Sequence, residues 1–265
     1  MDVILDSNLQ DGLFRLAAFV LLGGMIRFIS LKYPMPSYAN QKIARFDVLF
    51  IAVALAVALA VEELIQPFLL QLFHALFQLP HSFLQTLIDG GTALQVLAYL
   101  VLTDFLGYVV HRFMHTPWAW RIHAFHHSVQ SLNWISGIRG SPLHIVLILL
   151  PGTLISSLLL LPQNPTAFVI VVLIDVVSQH LNHSNVKLPY ARQLEWLIVT
   201  PQMHFLHHHI DEQYGKCNYG FYFSIWDRVF GTYVNAQTVQ NKGILGLSTD
   251  YSTTSMLLGV NLKKR

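Results

Sequence analysis

Five stretches of the chain are apolar for close to the length that a bilayer demands. A hydrocarbon core takes about 20 largely apolar residues as helix, and residues 12–30, 48–64, 92–110, 143–161 and 166–178 approach this, the last being short. Between the second and third lies QPFLLQLFHALFQLPHSFLQTLI, apolar but interrupted by glutamines and prolines, which suits an interfacial helix or the return leg of a hairpin. No Pro/Gly/Ser-rich linker and no internal repeat divides the chain. The pattern therefore predicts an all-α, multi-pass membrane helical bundle of about four or five spanning helices, with residues 1–265 forming a single integral membrane domain.

Composition agrees with that pattern. Hydrophobic residues make up 54% of the chain and charged ones 11%, against roughly 25% charged in a soluble domain. The net charge of +2 is too small to suggest a nucleic-acid partner, and the only basic run is Lys263, Lys264 and Arg265. Cys217 is the sole cysteine, so an internal disulfide and the cysteine zinc-finger patterns are excluded. Asp2, Asp6 and Asp11 stand where a cleavable signal would have its positive region. That and the short length suit a bacterial inner membrane better than the endoplasmic reticulum.

Charge also orients the predicted spans. Lys32, Lys42 and Arg45 follow the first, and Arg112, Arg121 and Arg139 follow the third; the connectors near residues 80–91 and 162–165 hold only Asp89. By the positive-inside rule the basic segments are cytoplasmic. Five alternating crossings then place residues 111–142, and everything after about 179, on the cytoplasmic side.

That side holds the histidines. Of 14 in the chain, 12 fall between residues 111 and 209. HRFMH puts His111 and His115 at i and i+4, and HAFHH puts His123, His126 and His127 at i, i+3 and i+4, so on a helix each set faces one way. HLNH supplies His180 and His183, and HFLHHH repeats the HAFHH spacing with His204, His207 and His208, followed by His209. Imidazoles on adjacent helices can complete a metal shell. Ten of them exceed the needs of one ion, and two ions in one site is the economical reading. His74, His81 and His209 read instead as amphipathic residues at the membrane interface, as do Trp118 and Trp120.

Residue chemistry narrows the choices without closing them. An HExxH zinc hydrolase needs a glutamate base on the ligand helix, yet Glu62, Glu63, Glu195 and Glu212 all lie outside the histidine boxes. The Glu and ExxH ligands of soluble di-iron bundles are missing too. A zinc-dependent membrane lipid-modifying enzyme remains open. A membrane metal transporter would favour histidines at mid-span, and here the boxes sit at or beyond the ends of the spans.

HRFMH, WRIHAFHHS, NHSN, TPQMHFLHHH and NYGFYFSIWDRVFGTY, in that order over residues 104–233, resemble the successive motifs of the fatty acid hydroxylase/sterol desaturase superfamily, the membrane-bound histidine-box di-iron oxygenases. The resemblance implies two iron ions capping the bundle at its cytoplasmic face, O2 as co-substrate, and hydroxylation or desaturation of an unactivated C–H bond of a lipid. It implies as ligands His111, His115, His123, His126, His127, His183, His204, His207 and His208, with His180 a tenth candidate.

Asp104, two turns before His111 on the same face, is a carboxylate inside a span, costly there and hence a candidate catalytic group; it is placed to accept a hydrogen bond from a ligand imidazole. Asp175 has a similar claim. In NYGFYFSIWDRVFGTY, Gly220 and Gly231 permit turns, and Asp227 and Arg228 pair with each other or orient ligands. Where relatives often read Arg-x-His-Pro after the second box, this chain reads RGSPLH, which makes Ser141 and His144 departures and His144 an additional polar group near the site. No cytochrome b5 module and no GxGxxG fingerprint is present. The electrons must come from a separate donor protein, cytochrome b5-like or ferredoxin-like.

Overall fold

The computed structural model describes residues 2–35, 53–54, 56–58, 60–76, 81–238 and 244–264. Its long helices are α1 (Asp2–Lys32), α4 (Gly91–Met114), α6 (Pro142–Leu158) and α7 (Pro165–Asn182); between α1 and α4 lie α2 (Gln66–Leu76) and α3 (His81–Asp89). A set of short helices follows the long ones or joins them: α5 (Trp120–His127), α8 (Ala191–Leu194), α9 (Pro201–His207), α10 (Glu212–Gly215), α11 (Ile225–Val229) and α12 (Thr253–Leu258). Among the described residues β-structure is limited to isolated bridges. The protein is an all-α bundle with a histidine-rich cap.

Three of these helices, counting α1 from Gly12, are long and apolar enough to cross a membrane: Gly12–Lys32, Gly91–Met114 and Pro165–Asn182. The fourth expected span is α6, an apolar helix of 17 residues. Part of the expected span 48–64 lies outside the described residues, as do the side chains of His74 and His81. The fifth span is longer than its hydropathy suggested. The helix continues through Gln179 and His180 to Asn182, and the His180 ring meets the Trp134 and Phe19 carbonyls inside the protein.

Local sequence sets the starts of three helices in one way. Ser141, Asn164 and Thr200 each precede a proline, and each side chain accepts the backbone N–H three residues on, from His144, Ala167 and Met203. Proline at the first helical position loses an N–H that has no partner there, and the cap satisfies another. These starts fix where α6, α7 and α9 begin, and so which way their histidines face.

In the bundle α4 packs between α6 and α7, while α1 lies along α7. Tyr99 of α4 meets Ile155 and Leu158 of α6 and Ala167 and Val171 of α7 in the buried core. Gly107 permits the closest approach to the cap. A Cβ there would stand 2.3 Å from the Phe221 ring, so only a glycine lets that ring lie against α4.

Candidate metal centre

Four segments converge above the bundle. The end of α4 brings His111 and His115, α5 brings His123, His126 and His127, the residue after α7 is His183, and α9 with its C-cap brings His204, His207 and His208. All nine are at least nine-tenths buried. They sort into two groups, His111, His115, His123, His127 and His207 in one and His126, His183, His204 and His208 in the other, and within each group the ligand atoms lie within 4.8 Å of one another. The groups share a wall: the His127 and His208 rings stack at 4.3 Å, and His126 lies 4.6 Å from His208.

Ring orientation favours metal over packing. The Nδ1 atoms of His111, His126, His183 and His207 face the backbone carbonyls of Tyr219, Arg139, Gln179 and Cys217 at 2.9, 2.9, 2.9 and 2.7 Å. A carbonyl only accepts, so each Nδ1 carries the proton and each Nε2 keeps its lone pair. Those Nε2 atoms turn inward. His111 and His127 bring theirs to 3.1 Å from His123 Nε2, while the His204 Nε2 lies 2.8 Å from that of His183 and 3.2 Å from that of His208. The His126 Nε2 is 3.3 Å from that of His183.

Two nitrogens bound to one ion at about 2.1 Å sit roughly 3.0–3.4 Å apart. In the His126–His183 pair both rings are held by a carbonyl at Nδ1, so two lone pairs face one another and repel unless a cation lies between them. The buried Nε2 atoms of His115 and His207 have no hydrogen-bond partner among the described residues. The donor set fits two adjacent metal ions.

Electrostatics point the same way. Burial first, and the neighbouring imidazoles after it, push His115, His123, His126, His127, His204, His207 and His208 well below the ordinary 6.5, and His183 falls to about 4. Near neutral pH the cage is uncharged, with its lone pairs available.

Several residues differ in place from the expectations, His180, Asp104 and His209 first among them. His180 belongs to neither group: its Nδ1 and Nε2 each lie 2.9 Å from a carbonyl oxygen, of Trp134 and of Phe19, so it ties α7 to α1. In HLNH the His180 ring, inside α7, turns toward α1, while His183, the C-cap residue past the helix end, joins the other imidazoles. Asp104 touches no imidazole. Its Oδ1 accepts the N–H groups of Phe221 and Tyr222 at 2.9 and 2.8 Å, and its Oδ2 that of Phe223 at 2.9 Å. It positions the loop that positions His111. His209 is buried against Tyr214, and its Nδ1 accepts from the N–H of Asp211.

The remaining singled-out residues surround the cage. His144 stacks on His123 and His126 at 4.8 and 4.9 Å, with its Nδ1 2.9 Å from that of His123. Ser141 donates to the Ile122 carbonyl. Trp118 is exposed, whereas Trp120 packs on His115 and His127. Asp227 accepts from the N–H groups of Tyr219 and Gly220 and from the Thr232 hydroxyl, and Gly231 makes its turn at φ +70°. Arg228 does not pair with Asp227; it donates to the Glu195 carbonyl and lies over the Trp196 and Tyr233 rings.

Several supporting groups had no signal in the sequence, among them the carbonyls of Tyr219 and Cys217. Glu195 was legible only as a glutamate outside the boxes. It is fully buried and accepts from the Thr200 and Tyr233 hydroxyls. Its spacing of five residues from the Thr200-Pro201 helix start was the available clue.

Below the cage runs a cavity of about 530 Å³ lined by residues of α1, α2, α4, α6 and α7, whose wall includes His144, His183 and His204. None of the five-histidine group lines it.

An apolar helical bundle capped by buried histidines over a cavity defines the class: a membrane-type protein whose histidines form two groups that could each hold a metal ion. The chain belongs to the fatty acid hydroxylase family, whose model matches residues 96–232. It is 33% identical over 145 residues to ornithine lipid hydroxylase OlsE of Rhizobium tropici, covering 54% of this chain and 43% of that one. It is 30% identical over 155 residues to very-long-chain aldehyde decarbonylase GL1-9 of Oryza sativa subsp. indica, covering 57% and 58%. It is 28% identical over 151 residues to alkylglycerol monooxygenase of Homo sapiens, covering 57% and 32%. The matches thus span less than two thirds of each relative's length. No solved structure matches the chain.

Proposed function

We propose that this protein is a di-iron membrane oxidoreductase that uses O2 and external electrons to hydroxylate or desaturate an unactivated C–H bond of a lipid. The observation that carries the reading is the gathering of nine buried imidazoles into two adjoining groups, one of which reaches the wall of a cavity in an apolar bundle. The relatives support the substrate class: an ornithine lipid hydroxylase and an alkylglycerol monooxygenase are among them.

His111, His115, His123, His127 and His207 would hold one ion, and His126, His183, His204 and His208 the other. Bound iron supplies the reduction of dioxygen coupled to C–H oxidation; for hydroxylation, RH + O2 + 2e⁻ + 2H⁺ gives ROH and water. The chain does the rest. Ile145, Ile148, Val171 and Val172 give the cavity an apolar wall that takes hydrocarbon and excludes water. His183 and His204 bring the four-histidine group to the cavity wall, so the substrate meets that group first. The carbonyls of Tyr219, Arg139, Gln179 and Cys217 hold four imidazoles in the ligand tautomer.

Residues 104–233 form the catalytic region of one membrane domain. The basic residues Arg112, Arg121 and Arg139 support a cytoplasmic cage by the positive-inside rule, which a separate electron donor, cytochrome b5-like or ferredoxin-like, would reach from the cytoplasm of a bacterial cell.

The test is metal analysis with Mössbauer spectroscopy on protein purified anaerobically with iron supplied, beside a His126→Ala, His207→Ala double variant that removes one imidazole from each group. About two coupled irons per chain, lost in the variant, is the expected result. Zinc persisting under those conditions, without oxygen-dependent turnover, would move the protein to the zinc-dependent class.

A further inference from the structure

The cavity wall carries a polar cluster that the metal cage does not use. Asp175 lies on α7 eight residues before His183, roughly 12 Å along the helix axis. Its carboxylate accepts the Tyr99 hydroxyl at 2.7 Å and the Tyr222 hydroxyl at 2.5 Å. Thr103, one turn beyond Tyr99 on α4, is 5% exposed, and its Oγ1 has no hydrogen-bond partner among the described residues. All four side chains line the cavity. Gly152 of α6 faces them, and a Cβ there would stand 2.8 Å from the Tyr99 hydroxyl and 3.8 Å from Thr103 Cγ2.

A buried hydroxyl left unpaired is destabilising, so Thr103 is out of place in a slot meant only for hydrocarbon; a valine would fill the same space without that penalty. The cluster also has a definite polarity. Tyr99 and Tyr222 give their protons to Asp175, and what they keep for the cavity is oxygen lone pairs. Thr103 offers one proton and lone pairs of its own. Arg15 lies on the same cavity and acts electrostatically on Asp175, so the carboxylate does not require a cationic ligand. One neutral hydroxyl, donating to a tyrosine oxygen and accepting from Thr103, satisfies the set with a single atom.

We propose that Tyr99, Thr103, Asp175 and Tyr222 form a subsite for a neutral hydroxyl group of the lipid substrate, set roughly 12 Å along the bundle axis from the histidine end where a C–H bond is presented. This rests on reading the cavity as the substrate's, and it makes that substrate a hydroxylated lipid rather than a bare hydrocarbon chain.

The experiment is displacement of tritiated 1-hexadecanol from the full-length chain in detergent, with unlabelled 1-hexadecanol and hexadecyl methyl ether as competitors. The ether keeps the chain and the oxygen but cannot donate. In the wild type the alcohol should compete about tenfold better than the ether. Thr103→Val and Tyr99→Phe should each bring the two competitors together, while Thr103→Ser should keep the preference and show that the position tolerates change. Equal competition in the wild type, a preference surviving in both variants, or no displaceable hexadecanol binding would each overturn the subsite. Iron content and oxygen consumption on the same preparations separate the two readings. Alcohol selectivity without iron would sustain the subsite and sink the oxygenase; iron and oxygen consumption without selectivity would do the reverse.

Discussion

Asp104 and Asp227 divide five consecutive backbone N–H groups between them. Asp227 takes those of Tyr219 and Gly220 at 2.7 and 2.9 Å, and Asp104 takes those of Phe221, Tyr222 and Phe223 at 2.8 to 2.9 Å. The two carboxylates come from a spanning helix and from the cap, and the loop they hold does three things. It presents the Tyr219 carbonyl to His111 Nδ1, stacks the Phe221 ring on His111 at 5.4 Å, and sends Tyr222 down to Asp175.

Asp104→Asn tests that arrangement with almost no change of shape. An amide keeps one acceptor and replaces the other with a donor, which must then face a backbone N–H. A buried N–H left without an acceptor costs about 1–3 kcal/mol. We expect thermal unfolding in detergent to show a loss of that size, and metal to leave the five-histidine group, whose His111 depends on the loop. Wild-type stability together with wild-type metal content would show that Asp227 alone suffices.

His180 and His183 invite a paired comparison, since three residues separate a histidine that ties helices together from one that faces its fellow imidazoles. His183→Gln should cut bound metal to about half, because it removes a nitrogen from the four-histidine group only. His180→Gln should leave metal content unchanged and lower stability by about 1–3 kcal/mol through its lost bond to Trp134 or Phe19. Equal metal loss in both variants would return His180 to the ligand set.

That pair also marks how far the sequence could be read. The i, i+3, i+4 spacing in HAFHH and HFLHHH fixed the facing of six imidazoles, since a helix leaves no other choice once its start is set by a cap such as Thr200-Pro201. Apolar runs located α1, α4, α6 and α7 for the same reason. HLNH carried less of it: His180 lies inside α7 but His183 is its C-cap residue, past the helix end, and the packing of α1 takes up the His180 ring. Asp104 was legible as a costly carboxylate, but its partners are backbone groups over a hundred residues away, and backbone groups have no sequence signature. The cavity cluster was invisible for a related reason. Tyr99, Thr103 and Tyr222 become a site only when α4, α7 and the loop meet.

Acid should destabilise the metal-free protein, and the sign follows from burial. His183 has a folded pKa of about 4 against an ordinary 6.5, and seven other cage histidines are lowered chiefly by desolvation. Between these values the unfolded chain holds more protons than the folded one, so stability falls as pH drops below about 6.5 and levels off only below the folded pKa. His183 alone accounts for roughly 3 kcal/mol across that window. Protons also compete with metal for the same nitrogens. Unfolding of the metal-free protein followed from about pH 7.5 to 4.5 should be flat at first and then steeply less stable, and the metal-loaded protein should release metal over the same range. A stability that holds level to about pH 5 would mean the cage is not buried as neutral imidazoles.

His144 is placed to fix His123 as a ligand. If His123 turns its Nε2 to the metal, its Nδ1 carries the proton, and the acceptor 2.9 Å away is His144 Nδ1. Groups that orient a metal ligand in this way typically contribute 10–100-fold in affinity. His144→Leu keeps the bulk and removes the acceptor, and it should weaken metal binding by about that factor in a chelator competition; His144→Asn, which can still accept, should recover part of it. Gly140 allows an independent perturbation, because a Cβ there would stand 2.0 Å from His144 Cδ2 and the ring would have to move. Gly140→Ala should therefore weaken metal binding in the same direction without touching any cage histidine. If His144→Leu binds metal as tightly as the wild type, His123 is held by its neighbours in the cage, and His144 is only part of the cavity wall.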